Sequence, residues 1–282
     1  MNQILPAHAD GLSSPTIAFV GGGQMAAALI EGMLRSTWDA ARILVVEPDE
    51  HRRAWIASTF GVRTVSSGCT SLTPAKVVVW AVKPQVLRAA VEAVKSALGA
   101  PLHISICAGV STNTFSRWIG SERVVRAMPN TPALVGAGVT ALTALPQVLG
   151  EDRQQAESLM SVTGYSFWVD SDERVDAVTA ISGSGPGYVF EFLACFQAAA
   201  QHLGFSEKDA AALAEKTAAG AIRQAATVPA AFETHRDRVM SRGGTTEAGL
   251  EVLSQHRLQQ IIRLAVSAAY ERARSLSQEL DA

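Results

Sequence analysis

Hydrophobic and polar positions follow two different patterns along this chain, and the change falls near residue 176. In the first part, short runs that are apolar at nearly every position alternate with segments in which apolar residues recur every three to four positions. Continuous apolar runs are typical of strands buried on both faces of a parallel sheet, and the longer recurrence is typical of helices. The predicted strands are residues 16–20, 42–47, 76–82 and 103–108, the predicted helices are residues 24–35, 50–59 and 85–98, and residues 139–144 and 167–169 are further strand candidates. This alternation predicts an α/β fold with a doubly wound parallel sheet and right-handed crossovers.

The second part is predicted to be entirely helical. Residues 186–203 are apolar on every side of a helix. A helix of that kind must be buried, and in a segment this small a partner subunit is the expected place. Further helices are predicted over residues 206–226, 230–240 and 245–282, with a break near Gln255 and His256.

Composition and charge exclude several classes of protein. Of the 282 residues, 48% are hydrophobic and 18% charged, and the formal net charge is −2. These values predict folded domains and give no electrostatic reason to bind nucleic acid or a membrane. No apolar stretch reaches the ~18 residues of a membrane span. Residues 1–14 lack the features of a secretory signal and are predicted to be a disordered tail. The three scattered cysteines favour a reducing, cytoplasmic location, and the six histidines lack metal-ligand spacing, so no metal site is predicted.

A glycine-rich turn follows the first predicted strand. Gly21, Gly23 and Ala26 form a G-x-G-x-x-A pattern between that strand and the next helix. The first glycine permits a tight turn, the second lets a pyrophosphate approach the backbone, and the alanine allows close helix packing. The amides of Gly23, Gln24 and Met25 would face the phosphates at a helix N-terminus, where the helix dipole favours negative charge. The pattern predicts a dinucleotide-binding site.

The choice between NADH and NADPH stays open on these residues. Glu47 ends the second predicted strand, where an acidic residue normally holds the ribose hydroxyls of NAD and would repel the 2′-phosphate of NADP. Arg52 and Arg53 open the next helix, and they either reach a phosphate or face solvent.

Four further segments place polar or glycine-rich turns where ligands bind. Lys83 and Pro84 follow the third predicted strand, and Lys83 is either a ligand contact or a solvated lysine. Residues 126–132 put two prolines around a polar pair, which fits a ligand-facing turn or a rigid connector. Residues 182–186 form a serine-glycine turn before the apolar helix. Residues 241–250 are a second glycine-rich loop that leads into a helix, where free amides suit a carboxylate or simply cap the helix.

Taken together, these segments resemble the pyrroline-5-carboxylate reductase family from about Pro15 to the end of the chain. The matching segments, in the family's order, are FVGGGQMA, AVKPQ, ISICAGVS, MPNTPALVG, DAVTAISGSGPGYVF and GGTTEAGL. The resemblance implies an N-terminal Rossmann-type dinucleotide-binding domain over residues 15–175. It also implies a C-terminal all-helical dimerisation and substrate domain over residues 176–282. Family members form homodimers, and these often assemble into rings of five dimers.

The resemblance also implies a reaction. It is the reduction of 1-pyrroline-5-carboxylate to L-proline, the last step of proline biosynthesis, with NADPH, or alternatively NADH, as cofactor. We expect the amides of Gly244, Thr245 and Thr246 to hold the substrate carboxylate, and the Thr246 hydroxyl to bond the ring nitrogen as the catalytic contact. A protonated imine is already electrophilic, so positioning would supply most of the catalysis. The residues expected at the cofactor are Val20, Gly21, Gly22, Gly23, Gln24, Met25, Glu47, Ala81, Val82, Lys83 and Pro84, with Cys107, Ala108 and Gly109 at the nicotinamide end.

Two departures from the family and two rival interpretations stay open. Arg242 stands where the family usually has proline, and residues 254–257 stand where it tends to have glycines. A 3-hydroxyacid dehydrogenase would share the glycine turn, but those enzymes rely on a lysine in a C-terminal helix. Here Lys208 and Lys216 lie beside no motif of that family. A non-catalytic dinucleotide sensor is the second rival, and Arg242 is the feature that favours it.

Overall fold

The structure, a computed structural model, describes residues 16–67 and 70–281. The described residues divide into two compact units, one made of residues 16–183 and 270–281 and the other of Ser184–Ala269. The predicted tail, residues 1–14, lies outside the described residues, and so does Cys69. The domain limits inferred from the resemblance stay a prediction.

The first unit is built on an eight-stranded sheet with the order β3-β2-β1-β4-β5-β6-β7-β8. The strands are β1 Ile17–Val20, β2 Ile43–Val46, β3 Arg63–Val65, β4 Val77–Trp80, β5 Leu102–Ser105, β6 Val124–Met128, β7 Gly138–Ala144 and β8 Gly164–Trp168. Neighbouring strands are parallel except β6 and β7. The strand order reverses between β1 and β4, which is the point where ligands bind in doubly wound sheets. This arrangement confirms the predicted fold class.

Helices cover both faces of this sheet. They are α1 Gln24–Ser36, α2 Glu50–Phe60, α3 Pro84–Val94, α4 Thr112–Ile119, α5 Gly150–Ser161 and α6 Asp172–Val178, followed by a π-helical turn at Thr179–Gly183. Alternate residues of β1 point to opposite faces. Phe19 packs in the core that contains Leu29 of α1, whereas Val20 packs in the core that contains Leu87 of α3. Burial on both faces explains why β1 is apolar throughout.

The second unit is helical, as predicted. It contains α7 Gly185–His202, α8 Glu207–Thr227, α9 Phe232–Val239 and α10 Thr245–Gln255, together with the first part of α11 Leu258–Asp281. The predicted break is confirmed, because Arg257, between α10 and α11, has a φ of 54°. Val189, Phe190 and Phe192 of α7 are 55%, 67% and 55% exposed. Among the described residues, no helix is both long and apolar enough to cross a bilayer.

The last turns of α11 return to the first unit. The Tyr270 hydroxyl donates to a Glu173 carboxylate oxygen at 2.9 Å, and the Ser277 hydroxyl donates to Asp176 Oδ2 at 3.2 Å. Leu280 packs against the core that contains Val20. The first unit is therefore assembled from two separate stretches of the chain.

A buried ionic network joins β6 to α6. Arg126 is 1% exposed, and its Nη1 and Nη2 donate to Asp172 at 3.0 Å and to Asp176 at 2.6 Å. Asp172 also accepts from the Thr112 hydroxyl at 2.7 Å. Two carboxylates accept from the two terminal nitrogens and balance the charge, so this side chain can lie inside the protein although its buried Nε has no partner among the described residues.

A second buried polar group, His103 in β5, makes the stability of the fold depend on pH. Trp80 Nε1 donates to its Nδ1 at 3.3 Å. Burial lowers the pKa of His103 from 6.5 to about 4, and the positive charge of Arg123 acts in the same direction. Unfolded His103 therefore takes up a proton below pH 6.5 that the folded side chain does not.

We expect the free energy of unfolding to fall as the pH drops from 6.5 towards 4. This one group should account for about 1.5 kcal/mol between pH 6.5 and pH 5. Urea unfolding at a fixed protein concentration, at both pH values, measures it. His103→Gln, which does not titrate, should remove that part of the pH dependence, whereas His51→Gln at an exposed position should not. An unchanged dependence in His103→Gln would contradict the assignment.

Candidate active site

The glycine-rich turn after β1 lies at the point where the strand order reverses. Gly21 has a φ of +98°, and a Cβ atom there would lie 2.7 Å from the Ala81 carbonyl oxygen and 2.8 Å from Val82 Cγ1. Its amide donates to the Val46 carbonyl at 2.9 Å. Both the left-handed conformation and the close approach of the loop after β4 therefore require glycine at this position.

The turn delivers free amides to the start of α1. Gly23 is the N-cap residue and makes no side-chain cap hydrogen bond. The amides of Gln24 and Met25, in the first turn of α1, have no partner within the helix. A Cβ atom at Gly23 would have only the Ala81 oxygen nearby, at 3.9 Å. Backbone donors, the positive end of a helix dipole and open space next to them suit a pyrophosphate.

Glu47 follows β2 and holds the turn from the other side. Gly22 N–H donates to its Oε2 at 2.8 Å, and Asp49 N–H donates to its Oε1 at 3.0 Å. Each carboxylate oxygen therefore already accepts one backbone hydrogen bond. Glu47 is at the position where an acidic side chain meets the adenosine ribose in dinucleotide folds.

The loops after β4 and β5 are joined by Cys107. Its Sγ donates to the carbonyl oxygens of Val82, at 3.1 Å, and Trp80, at 3.5 Å. Burial raises the pKa of the Cys107 thiol to about 11, so the group stays a neutral S–H donor at physiological pH. Cys107 holds the two loops together and lacks the thiolate character of a nucleophile. Lys83 is the N-cap of α3, and Pro84 is its first residue.

Gly109, in the loop after β5, lies close to α11. It has a φ of +74°, and a Cβ atom there would lie 3.2 Å from Leu280 Cδ1 and 3.4 Å from Leu276 Cβ. The sequence patterns did not associate Leu276 or Leu280 with this loop. No local signal identifies them, because the contact joins residues that are far apart along the chain.

Asn130 is a polar residue whose role sequence reasoning left open. It is 7% exposed, and its side chain donates to the Ser182 carbonyl at 2.9 Å and accepts from Val139 N–H at 2.8 Å. These bonds bring the proline-flanked segment and the serine-glycine turn, two of the motifs singled out in the sequence, into direct contact. The asparagine flanked by two prolines was the sequence signal that could have identified it.

The second glycine-rich loop lies in the helical unit and begins α10. Gly243 has a φ of +70°, and its amide donates to Glu247 Oε2 at 2.5 Å. The Gly244 amide donates to the Ser241 carbonyl at 2.9 Å. The amides of Thr245 and Thr246 then lie in the first turn of α10, where no helical carbonyl is available to them. They are the donors that the loop offers to an anion, since Gly244 N–H is already bonded.

Candidate metal ligands do not cluster among the described residues. Within residues 16–67 and 70–281, no group of three or more histidine, cysteine, aspartate or glutamate side chains could hold an ion.

The strand order, the glycine turn at its reversal and the free amides of α1 together define a dinucleotide-binding protein of the doubly wound α/β class. The space next to Gly23 and the steric need for glycine at position 21 fit a bound pyrophosphate.

Comparison with known proteins identifies the family. A family model described as pyrroline-5-carboxylate reductase dimerisation matches residues 172–276, and one described as NADP oxidoreductase, coenzyme F420-dependent, matches residues 16–109. The chain is 38% identical over 271 residues to pyrroline-5-carboxylate reductase from Pseudomonas aeruginosa, covering 95% of this chain and 99% of the relative. The chain belongs to the pyrroline-5-carboxylate reductase family.

Two solved structures are similar over nearly the whole chain. A pyrroline-5-carboxylate reductase from Coxiella burnetii has a TM-score of 0.88 at 36% identity, covering 94% of this chain and 99% of that one. The pyrroline carboxylate reductase of Plasmodium falciparum, solved with NADP bound, has a TM-score of 0.82 at 26% identity, covering 95% and 100%.

Proposed function

We propose that this protein is a pyrroline-5-carboxylate reductase that reduces 1-pyrroline-5-carboxylate to L-proline with NADPH. The observation that carries the proposal is the 38% identity over 95% of the chain, and the glycine turn at the reversal of the strand order supports it. When bound, NADPH supplies a hydride to the imine carbon, and the ring nitrogen keeps the proton that makes the product a secondary amine. The residues of the chain bind and orient the two partners.

The cofactor site that we propose spans four loops, at the carboxyl ends of the neighbouring strands β2, β1, β4 and β5. Gly21 and Gly23 admit the pyrophosphate, and Glu47 fixes the turn through Gly22. Cys107 holds the loop after β4 in place. The complete proposed set is Val20, Gly21, Gly22, Gly23, Gln24, Met25, Glu47, Ala81, Val82, Lys83, Pro84, Cys107, Ala108 and Gly109.

The substrate site that we propose is the start of α10. The Thr245 and Thr246 amides would bind the substrate carboxylate, and the hydroxyl of Thr246 would bond the ring nitrogen. Gly244 shapes the turn, because a Cβ atom there would lie 2.9 Å from the Ser241 carbonyl oxygen. The Gly244 amide binds the substrate carboxylate only if its hydrogen bond to the Ser241 carbonyl breaks.

We further propose that the protein acts as a homodimer, and as a ring of five dimers. The dimerisation match over residues 172–276 and the exposed apolar side chains of α7 support a subunit interface. We place the protein in the cytoplasm, because Cys107 and Cys195, the two described cysteines, are free thiols.

Steady-state oxidation of NADPH, and separately of NADH, with pyrroline-5-carboxylate tests the function. Turnover with NADPH supports it. Folded protein that binds the cofactor without turnover supports the sensor interpretation instead. Reduction of NAD⁺ or NADP⁺ by a 3-hydroxy acid, without activity on pyrroline-5-carboxylate, supports the dehydrogenase. Analytical ultracentrifugation measures the oligomeric state in the same preparation.

The Thr246 hydroxyl gives a sharper test of the proposed chemistry. Thr246→Ala should lower kcat/KM for pyrroline-5-carboxylate about tenfold, since it removes one hydrogen bond to the substrate. Thr246→Ser keeps the hydroxyl and should retain most of the activity, and the dissociation constant for NADPH should be the same in both variants. Full activity of Thr246→Ala would rule out the role given to this hydroxyl.

A further inference from the structure

We propose that Arg52 binds the 2′-phosphate of NADPH and sets a preference for NADPH over NADH, whereas the neighbouring Arg53 has a structural role. The inference rests on the proposed function, because it concerns the cofactor of that reaction. Both arginines lie in the first turn of α2, and their different hydrogen bonds assign them different roles.

The guanidinium of Arg53 is already engaged by the backbone of its own turn. Its Nη1 donates to the carbonyl oxygens of Glu47 at 2.8 Å and Pro48 at 3.0 Å. These bonds hold the chain between β2 and α2. A side chain fixed in this way supports the shape of the turn and has less freedom to meet a ligand.

Arg52 faces the phosphate loop and has a cationic donor without an acceptor. Its Nε donates to the Gly22 carbonyl, and its Cζ lies 4.2 Å from the centroid of the Trp55 ring. Its Nη2 is buried and has no hydrogen-bond partner among the described residues. A buried donor without an acceptor destabilises the protein, and more so when it is charged, so the free protein lacks one hydrogen-bond acceptor next to the loop.

A phosphate supplies what this arrangement lacks. Phosphate oxygens accept charge-assisted hydrogen bonds from a guanidinium, and two parallel bonds from one arginine are common. An oxygen of the 2′-phosphate would supply the acceptor that Arg52 Nη2 lacks. The ribose 2′ position of a dinucleotide lies at the end of β2, where α2 begins.

Glu47 explains why a cation is needed there. Its negative charge would repel a 2′-phosphate, and its two oxygens accept from Gly22 and Asp49 N–H groups, which keep the carboxylate in place. Arg52 binds the same residue of the loop, Gly22, from the other side. The guanidinium therefore offsets the carboxylate at the one point where NADP differs from NAD.

The test measures binding of NADP⁺ and of NAD⁺ to the full-length protein by isothermal titration calorimetry. Arg52→Met keeps much of the apolar length of the side chain and removes the charge. It should weaken NADP⁺ about 30-fold and change the dissociation constant of NAD⁺ less than about threefold. Arg53→Met, the matched control in the same turn, should affect the two nucleotides equally. Thermal unfolding of both variants checks that they are folded.

Each outcome bears on the proposal. An equal loss of both nucleotides in Arg52→Met would make Arg52 a structural residue, and a loss confined to NADP⁺ in Arg53→Met would reverse the assignment. Wild-type protein that binds neither nucleotide overturns both this inference and the proposed function. Selective loss of NADP⁺ in a protein that does not reduce pyrroline-5-carboxylate would support Arg52 and contradict the proposed reaction.

Discussion

Gly21→Ala is expected to weaken binding of NADPH about 100-fold. The left-handed conformation costs about 1–2 kcal/mol for an alanine, and the overlap of its Cβ with the Ala81 oxygen, 2.7 Å away, adds a similar amount. Together these two costs approach 3 kcal/mol. If the turn leaves its binding conformation to avoid them, the dissociation constant for NADPH rises by about two orders of magnitude. Titration calorimetry with NADPH measures the effect.

Gly61→Ala is the matched control for this substitution. Gly61 ends α2 with a φ of +66°, and no atom lies within 4 Å of where its Cβ would be. The control should therefore cost about 1 kcal/mol of stability and leave the dissociation constant for NADPH unchanged. If Gly21→Ala bound NADPH like the wild type, the close approach of the loop after β4 would not matter for the cofactor.

Arg126→Met is expected to lower the free energy of unfolding by about 3–5 kcal/mol. The substitution leaves Asp172 and Asp176 facing each other without their shared cation, and the side chain of Asp176 is only 8% exposed. Urea denaturation at neutral pH and a fixed protein concentration measures the loss.

Arg123→Met provides the comparison for the buried network. The ion pair between Arg123 and Asp152 has a similar length, 2.7 Å, but the arginine side chain is 41% exposed. Its loss should cost about 1 kcal/mol or less, because water and salt screen the interaction. Equal stabilities for Arg123→Met and Arg126→Met would show that methionine packs well enough at position 126 to replace the buried charges.

Arg126 also shows which strands of the sheet can be predicted from the hydrophobic pattern and which cannot. β1, β2 and β4 are apolar at every position and were predicted, and β5 was predicted from the run at residues 103–108 although His103 and Ser105 are polar. β6, Val124–Met128, has a charge at its centre and was not among the predicted strands. Its last three residues belonged to the segment 126–132, which was left open between a ligand-facing turn and a rigid connector. The burial of Arg126 depends on carboxylates from α6, about 50 residues later in the chain. β3, Arg63–Val65, was missed for another reason: it is a three-residue edge strand with little burial to mark it.

Some residues of the candidate site can likewise be predicted from the sequence, and others cannot. Glycines that need a left-handed backbone, such as Gly21, can be identified from local spacing, because the turn itself demands them. The choice between Arg52 and Arg53 could not be made locally, since both lie in one helical turn and only their partners differ. The bond from Gly244 N–H to Ser241 likewise depends on how residues 241–244 fold back on themselves.

The return of α11 to the first unit has a consequence for how the protein is made. Tyr270, Ser277 and Leu280 complete contacts whose other members are synthesised far earlier, and the whole of Ser184–Ala269 lies between them. During translation, Asp176 and the loop at Gly109 must wait for these residues to leave the ribosome. The Rossmann-type unit is therefore completed late, after the helical unit has emerged, although most of its sequence comes first.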